Sequence, residues 1–167
     1  MIIVAFGANE DGAYGAPIET YNQALKALDE CGLSIAKKSS LWQTSPVDVT
    51  GAQNDYTNAV FEIETDQSPH EILEILLDVE AEFGRKRTMR NAPRSIDLDL
   101  ICYHDRIVKE LNLTLPHPRM HERGFVLWPL QEIASNWQHP LTGKSIQDLI
   151  AGLPDDQTAE RIKDKAA

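Results

Sequence analysis

Asp97 and Asp99 stand two positions apart in a stretch that reads as a β-strand over residues 96–103. Because side chains on a strand alternate between its two faces, both carboxylates are predicted to project from the same face. Two carboxylates this close repel each other unless a cation lies between them, and Mg2+ prefers a few carboxylates together with waters and substrate phosphates. The spacing therefore indicates a metal site, with a solvent-facing acidic strand paired with arginines as the alternative.

A cationic segment lies directly before these aspartates. It carries five basic residues and no acidic one, namely Arg85, Lys86, Arg87, Arg90 and Arg94. The whole chain has a formal net charge of −10, so this concentration of arginines favours a small polyanion, which guanidinium groups bind in a bidentate manner. A solvated basic loop is the alternative. Carboxylates that hold metal beside guanidiniums that hold phosphate are the groups required for phosphoryl transfer.

Two further groups of residues have side chains that could bind a ligand. His117 and Arg123 belong to the loop from Pro116 to Gly124 and could contact phosphate, although a histidine between prolines is more often structural. Upstream, Thr44, Pro46 and Val47 open a loop, and Tyr56, Asn58 and Phe125 complete an aromatic and amide set. Such a set suits a flat heteroaromatic ring, because the aromatic side chains can stack on its faces and the amide can form hydrogen bonds with its edge. Ordinary core aromatics with a turn-capping asparagine are the alternative.

The surrounding elements predict a way to position these side chains. Strands are predicted at residues 2–6, 33–44, 56–65 and 96–103, a helix opens at Pro17, and a capping box at Ser68 starts a second helix that runs to about Phe83. The apolar residues of the last strand, Ile96, Leu98 and Leu100, should face a core beneath the helices. The order β-α-β-β-α-β predicts an α+β, ferredoxin-like fold, an antiparallel sheet with both helices on one face.

The remainder of the chain reads as C-terminal additions to this core. We predict a short strand near Ile107, an extended loop at 115–118, a helix over 124–134 with Pro129 in its first turn, and a helix over 145–151. Residues 1–154 are expected to form a single domain. Residues 155–167 are polar and charged, and we expect a tail prone to disorder.

The composition and the apolar pattern of the chain limit the classes of protein to which it can belong. The first residues lack the basic region of a signal peptide, and no apolar run approaches 18 residues, so a soluble, cytoplasmic protein without a membrane partner is expected. Cys31 and Cys102 are expected to be buried free thiols. The acidic charge disfavours nucleic acid. The expected partners are small-molecule substrates, bound by a monomer.

Two long motifs resemble those of a known family. The runs A-P-R-S-I-D-L-D-L-I-C-Y and L-P-H-P-R-M-H-E-R-G-F-V-L-W-P-L-Q-E-I-A are similar to segments of 6-hydroxymethyl-7,8-dihydropterin pyrophosphokinase, an enzyme of folate biosynthesis. The shorter F-G-A-N, T-S-P-V, Y-T-N and F-G-R-K-R segments agree with it, and the resemblance covers roughly residues 1–150. It implies transfer of pyrophosphate from ATP to the pterin hydroxymethyl group, which leaves AMP.

The resemblance also implies roles for individual residues. The implied catalytic residues are Arg85, Arg94, Asp97 and Asp99, of which Asp97 and Asp99 would hold two Mg2+ ions. The implied pterin site comprises Thr44, Val47, Tyr56, Asn58 and Phe125. The implied ATP site comprises Glu80, Arg85, Arg87, Arg94, Leu100, His117 and Arg123. Loops over residues 8–17, 45–54 and 85–94 would close over the substrates, and Asn91-Ala92 departs from the Trp-Gly common in the family.

Three rival functions make different predictions. A non-catalytic ferredoxin-like binding domain would release no AMP from ATP and a reduced pterin. A nucleic-acid-binding module would show binding that weakens steeply with salt. A related enzyme with another acceptor would turn over without the pterin.

Overall fold

The structure of the protein is a computed structural model that describes residues 1–46, 52–85 and 92–163. Val47, Lys86, Arg87, Arg90 and Asn91 therefore lie outside the described residues, and so do parts of the loops predicted at 45–54 and 85–94. Within the described part of the chain, no helix is both long and apolar enough to cross a membrane.

Eight strands and four α-helices are present in the described residues. The strands are β1 (Ile2–Ala8), β2 (Ser34–Lys38), β3 (Trp42–Thr44), β4 (Tyr56–Glu64), β5 (Asp97–Tyr103), β6 (Val108–Lys109), β7 (Thr114–Leu115) and β8 (Ala159–Arg161). The helices are α1 (Pro17–Glu30), α2 (Pro69–Glu82), α3 (Gly124–Ile133) and α4 (Ile146–Ala151), and a 3-10 turn spans Met120–Glu122. The predicted capping box is present, since Ser68 and Glu71 exchange side-chain and backbone hydrogen bonds at the start of α2.

The main sheet has the strand order β5-β1-β4-β3-β8, with β2 also paired to β4. Every neighbouring pair is antiparallel. The elements β1 to β5 with α1 and α2 thus form the predicted β-α-β-β-α-β core, in which β2 and β3 share the place of the second strand. The ferredoxin-like prediction is confirmed.

The sheet is covered on both faces. One core cluster joins alternate residues of β1, β4 and β5 to α1 and α2, and it includes the predicted Ile96, Leu98 and Leu100. A second cluster joins the intervening residues of the same strands to α3 and α4. The C-terminal helices therefore form a second layer, which explains why all seven residues of β1 are buried.

The strand predicted over residues 33–44 is divided at Ser39. The Ser39 N–H donates to Val60 O at 2.9 Å, and the Val60 N–H donates to the Ser39 hydroxyl oxygen at 3.0 Å. Because a side chain replaces the main chain as one partner of Val60, the regular ladder stops there, and two short strands pair with β4 in place of one.

Two predictions about the C-terminal part need correction. Pro129 lies inside α3 rather than in its first turn, because the helix begins at Gly124, where the Val126 and Leu127 N–H groups both donate to Arg123 O at 3.0 Å. The polar tail predicted from residue 155 contains β8, which pairs with β3 from residue 159 to 161. A three-residue polar edge strand has no hydrophobic alternation, so its pairing depends on the neighbouring strand.

The two cysteines are free, as expected, but they differ in burial. Cys102 is buried and Cys31 is exposed. Cys31 follows the last residue of α1, directly before the turn at Gly32.

Candidate active site

The aspartate pair lies on β5, on the face opposite its buried leucines. Asp97 stands beside Gly7 of β1 and Asp99 beside Ala5 in the strand register. Leu98 is 4% exposed and belongs to the core under α1 and α2. Asp97 and Asp99 therefore share the face that the α3 layer covers, and their predicted common orientation is confirmed.

Arg85 reaches this face from the end of α2. Gly84 takes a φ of 80°, which ends the helix and turns the chain towards β5. One guanidinium nitrogen of Arg85 donates to Asp97 Oδ1, to Glu80 Oε1 at 2.9 Å and to Ile96 O at 2.9 Å. The alternative of a solvated basic residue is excluded for Arg85, whose side chain is only 13% exposed.

Glu80 anchors the arginine to the strand. Glu80 is 2% exposed, and its carboxylate accepts hydrogen bonds from the Arg85 guanidinium and, at 2.7 Å, from the Leu98 N–H. A buried carboxylate needs such partners, because desolvation without them is costly. Glu80 thus links the end of α2 to β5 and sets the position of Arg85.

Arg94 approaches Asp97 from the other side. Its guanidinium donates to Asp97 Oδ2 at 2.5 Å and lies over the Tyr56 ring at 5.6 Å from the centroid. Asn9 holds the arginine backbone, since the Asn9 N–H donates to Arg94 O at 2.9 Å and the Arg94 N–H donates to Asn9 Oδ1 at 2.8 Å. Asn9 was not among the predicted site residues. Its position as a polar residue directly after a buried strand could have indicated it.

The two aspartates differ in their electrostatic surroundings. Burial opposes ionisation of Asp97, but the Arg85 and Arg94 guanidiniums hold the pKa of its carboxyl below the ordinary value. Burial and the neighbouring negative charge of Asp97 raise the pKa of Asp99 to about 6, against the weaker attraction of Arg123 at 3.7 Å. Asp97 is therefore a carboxylate with two cationic partners, whereas Asp99 has one, Arg123, whose attraction does not offset burial and the charge of Asp97.

The Asp97 and Asp99 carboxylates supply some of the oxygen ligands that a hard cation such as Mg2+ requires. Across the described ranges, no group of three or more His, Cys, Asp and Glu side chains could hold a metal ion. Two carboxylates alone are nevertheless the usual protein contribution to Mg2+, which completes its shell with waters and phosphate oxygens. A cation beside Asp99 would also remove the repulsion that raises its pKa. The residues present therefore fit magnesium bound together with a phosphate ligand.

His117 and Arg123 lie on the same side of the sheet. The His117 N–H donates to Ile101 O at 2.8 Å, which places the Pro-rich loop beside β5. Burial and the charges of Arg123 and Arg119 lower the pKa of His117 to about 4, and its Nδ1 accepts the Arg119 N–H at 3.2 Å. His117 is consequently neutral at pH 7, with Nε2 available as a hydrogen-bond donor.

The upstream constellation adjoins the aspartates. Gly7 pairs with Asp97 on one side and with Asn58 on the other, so the carboxylate and the amide lie across three adjacent strands, about 10 Å apart. Asn58 is 3% exposed, and its Nδ2 donates to the Thr44 hydroxyl at 2.7 Å. Tyr56 follows on the same face and lies under Arg94. The prediction that Tyr56 and Asn58 share a face is confirmed.

Phe125 and Leu100 complete the described predicted residues. The Phe125 ring lies 5.3 Å from the Arg123 guanidinium, which places the aromatic beside the aspartate site. The Leu100 side chain is buried in the α1 and α2 core, so only its backbone is available to a ligand. Among the described residues, β5 is an edge strand of the sheet, and no described strand pairs with its other edge.

The fold and the site define a ferredoxin-like α+β protein with paired carboxylates among partly buried arginines at one sheet edge. Residues 3–135 match the family described as 7,8-dihydro-6-hydroxymethylpterin-pyrophosphokinase, HPPK. The chain belongs to this family, which confirms the resemblance found in its motifs.

Relatives in several organisms agree with this assignment. The chain is 48% identical over 98 residues to the 2-amino-4-hydroxy-6-hydroxymethyldihydropteridine pyrophosphokinase of Synechocystis sp., a match that covers 59% of this chain and 50% of that protein. It is 37% identical over 153 residues to the protein of the same name from Haemophilus influenzae, covering 91% of this chain and 92% of that one. It spans 22% of the Folic acid synthesis protein FOL1 of Dictyostelium discoideum, with 34% identity. The chain thus spans half or less of the Synechocystis and Dictyostelium relatives.

Solved structures support the fold. A crystal structure of a Plasmodium falciparum HPPK-DHPS triple mutant superimposes with a TM-score of 0.67 at 13% identity, over 90% of this chain and 42% of that one. A second structure of the same triple mutant, with pteroate, gives a TM-score of 0.66 at 14% identity. At these identities the likeness shows a shared fold.

Proposed function

We propose that this protein transfers the pyrophosphoryl group of ATP to the hydroxymethyl group of 6-hydroxymethyl-7,8-dihydropterin, which yields AMP and the pterin diphosphate in folate biosynthesis. The observation that carries the proposal is the junction at Gly7, where an arginine-held aspartate pair adjoins a buried amide and an aromatic ring. Membership of the HPPK family supports the same reaction.

The polyanion side of the site is assigned to ATP. Arg85, Arg94 and Arg123 supply guanidiniums, which stay charged and match phosphate geometry, and His117 offers an Nε2–H. Glu80 acts by holding Arg85 against β5. The outer edge of β5 at Leu100, which pairs with no described strand, suits the hydrogen-bonding edge of adenine. Arg87, which lies outside the described residues, is proposed for the same site from the motif.

The ring side of the site is assigned to the pterin. Asn58 presents a buried amide that can pair with ring N–H and N groups, and Thr44 fixes its orientation through the hydroxyl. Tyr56 and Phe125 supply aromatic faces for stacking. Val47, outside the described residues, is proposed for this site from the T-S-P-V motif.

Asp97 and Asp99 are proposed to hold two Mg2+ ions together with the ATP phosphates. Bound there, magnesium would neutralise phosphate charge and polarise the phosphoryl oxygens. The residues of the chain then orient both substrates and stabilise the charge that develops. The pterin hydroxymethyl oxygen attacks the β-phosphorus, the bond from that phosphorus to the AMP oxygen breaks, and AMP departs.

Asp99 is a candidate acceptor for the hydroxyl proton. Its carboxylate lies on the same face as Asp97, and the Arg123 guanidinium stands 3.7 Å from it. The alternative is that a metal lowers the pKa of the substrate hydroxyl itself. An Asp99→Asn enzyme with unchanged magnesium affinity and full turnover would exclude the base role.

Gly7→Ala is expected to weaken pterin binding selectively. A Cβ at Gly7 would lie 3.0 Å from Asn58 Oδ1, so the amide oxygen proposed to accept from the ring must move by a few tenths of an ångström. We expect KM for the pterin to rise about tenfold, the effect of one misplaced hydrogen bond, with KM for ATP nearly unchanged. Steady-state kinetics with each substrate varied in turn measure this, and an equal rise in both KM values would contradict it.

The decisive experiment is AMP release from ATP and Mg2+ with and without 6-hydroxymethyl-7,8-dihydropterin. AMP that forms only when the pterin is present supports the proposal. No AMP under either condition would favour a binding domain, and AMP without the pterin would indicate another acceptor.

A further inference from the structure

Gln157, a residue of the C-terminal segment, bridges the backbone on both sides of Arg123. Its Oε1 accepts the Gly124 N–H at 2.7 Å, and its Nε2 donates to Glu122 O at 2.7 Å. These two groups belong to the peptide units directly before and directly after the Arg123 Cα. One side-chain amide therefore constrains both backbone torsions of Arg123, which adopts φ −115° and ψ 103°.

The bridge also satisfies a helix end that no local side chain caps. Gly124 is the first residue of α3, and the preceding residue makes no side-chain cap hydrogen bond. The N–H groups of a first helical turn lack partners within the helix, and Gln157 supplies one from 33 residues away. The direction in which the Arg123 side chain leaves the backbone thus depends on a distant residue.

Gln157 is itself held in place by the sheet. The chain enters β8 two residues later, where Ala159 pairs with Thr44 of β3. The Thr158 and Ser45 hydroxyls lie 3.2 Å apart, and Arg161 forms an ion pair with Glu132 of α3 at 3.0 Å. The segment over 157–161 therefore connects the strand that carries Thr44 to the turn that carries Arg123.

We propose that Gln157 is a positioning residue for the reaction. It holds Arg123 against Asp99 and beside Phe125, and it does so through hydrogen bonds to the backbone without touching substrate. This inference rests on the proposed function for the identity of the ligand, an ATP–magnesium complex, but the contact that it describes is independent of turnover.

Gln157→Leu, which keeps the side-chain size and removes both hydrogen bonds, tests the role. We expect kcat/KM for ATP to fall about tenfold. Gln147→Leu is the matched control, because Gln147 also donates from its amide to a distant backbone carbonyl, Ser135 O at 3.1 Å, away from the site. Equal kinetics of the two variants would overturn the proposal.

A double-mutant cycle separates positioning from general stability. We would measure the Kd of a non-hydrolysable ATP analogue with Mg2+ for the unmodified protein, Gln157→Leu, Arg123→Ala and the double variant. If Gln157 acts through Arg123, adding Gln157→Leu to the Arg123→Ala variant should change Kd by less than about twofold. The same fold-change in both backgrounds would show that Gln157 acts independently of Arg123 and would refute the proposal.

Hydrogen exchange gives a result that does not depend on activity. Amides in the segment 119–125 should exchange faster in Gln157→Leu than in Gln147→Leu; identical exchange would refute the bridge. If the leucine variant did not fold, Gln157→Glu, which still accepts from Gly124 but no longer donates to Glu122 O, should show a smaller increase in the same segment. Failure of the unmodified protein to release AMP would refute the proposed function alone and leave this readout valid.

Discussion

Asp97→Asn is expected to lower kcat/KM by at least about 1000-fold and to destabilise the fold as well. The carboxylate faces two guanidiniums, those of Arg85 and Arg94, whose side chains are 13% and 21% exposed. A neutral amide would leave both positive charges without their shared partner and would remove one of the two proposed metal ligands. Loss of preorganised charge in a phosphoryl-transfer site has effects of this size.

The stability change of Asp97→Asn follows from the same geometry. Removing one partner of a fully buried ion pair costs about 3 to 5 kcal/mol, and for this partly buried group we expect about 2 kcal/mol. Urea unfolding without metal measures it. Asp105→Asn, on the exposed turn after β5, is the matched control and should change neither stability nor turnover. Stability equal to that of the unmodified protein would show that the two arginines do not depend on Asp97.

Asp99→Asn is expected to reduce turnover about 100-fold or more while it stabilises the metal-free protein. Burial and the Asp97 charge raise the pKa of Asp99 to about 6, so the ionised carboxylate present at pH 7 to 8 destabilises the metal-free fold, and a neutral asparagine removes this cost. About 36% of the side chain is exposed, so solvent screening reduces the gain, and we expect about 1 kcal/mol at pH 7 to 8. Asp97→Asn should therefore lower the stability of the metal-free protein and Asp99→Asn should raise it, because the two carboxyl groups have different charged neighbours.

The raised pKa of Asp99 makes its contribution to the free energy of unfolding depend on pH. The folded protein binds the Asp99 proton more tightly than the unfolded chain, whose carboxyl has the ordinary pKa of 3.8. Stability from this group is therefore present below about pH 4 and is lost as the pH rises through 6. Asp99→Asn should lack this loss, so the stability difference between variant and unmodified protein should grow from pH 4 to pH 7.

His117 acts in the opposite direction over the same range. Its pKa is lowered to about 4 by burial and by the neighbouring arginines, so the unfolded chain binds its proton more tightly and stability rises with pH. Comparing the two proteins at each pH cancels this contribution. A difference that stays constant from pH 4 to pH 7 would contradict the raised pKa of Asp99.

Local pattern carried much of the fold prediction. The capping box at Ser68 and the alternation of Leu98 with Asp97 and Asp99 are properties of adjacent residues, and they correctly placed α2 and oriented β5. The polar segment at 159–161 has no such pattern. It became a strand because β3 offered an unpaired edge, which is a feature of the assembled sheet.

The sequence by itself determined the family, the order of the core elements and the face on which the two aspartates lie. These depend on motifs and on side-chain periodicity, which short stretches of backbone impose locally. The tertiary structure alone decided that Asp97 pairs with both Arg85 and Arg94, whereas Asp99 pairs with Arg123 at 3.7 Å. It also decided that Gln157 fixes the backbone around Arg123. Such pairings join residues far apart in the chain, and strand register and helix ends, rather than residue type, bring their atoms together.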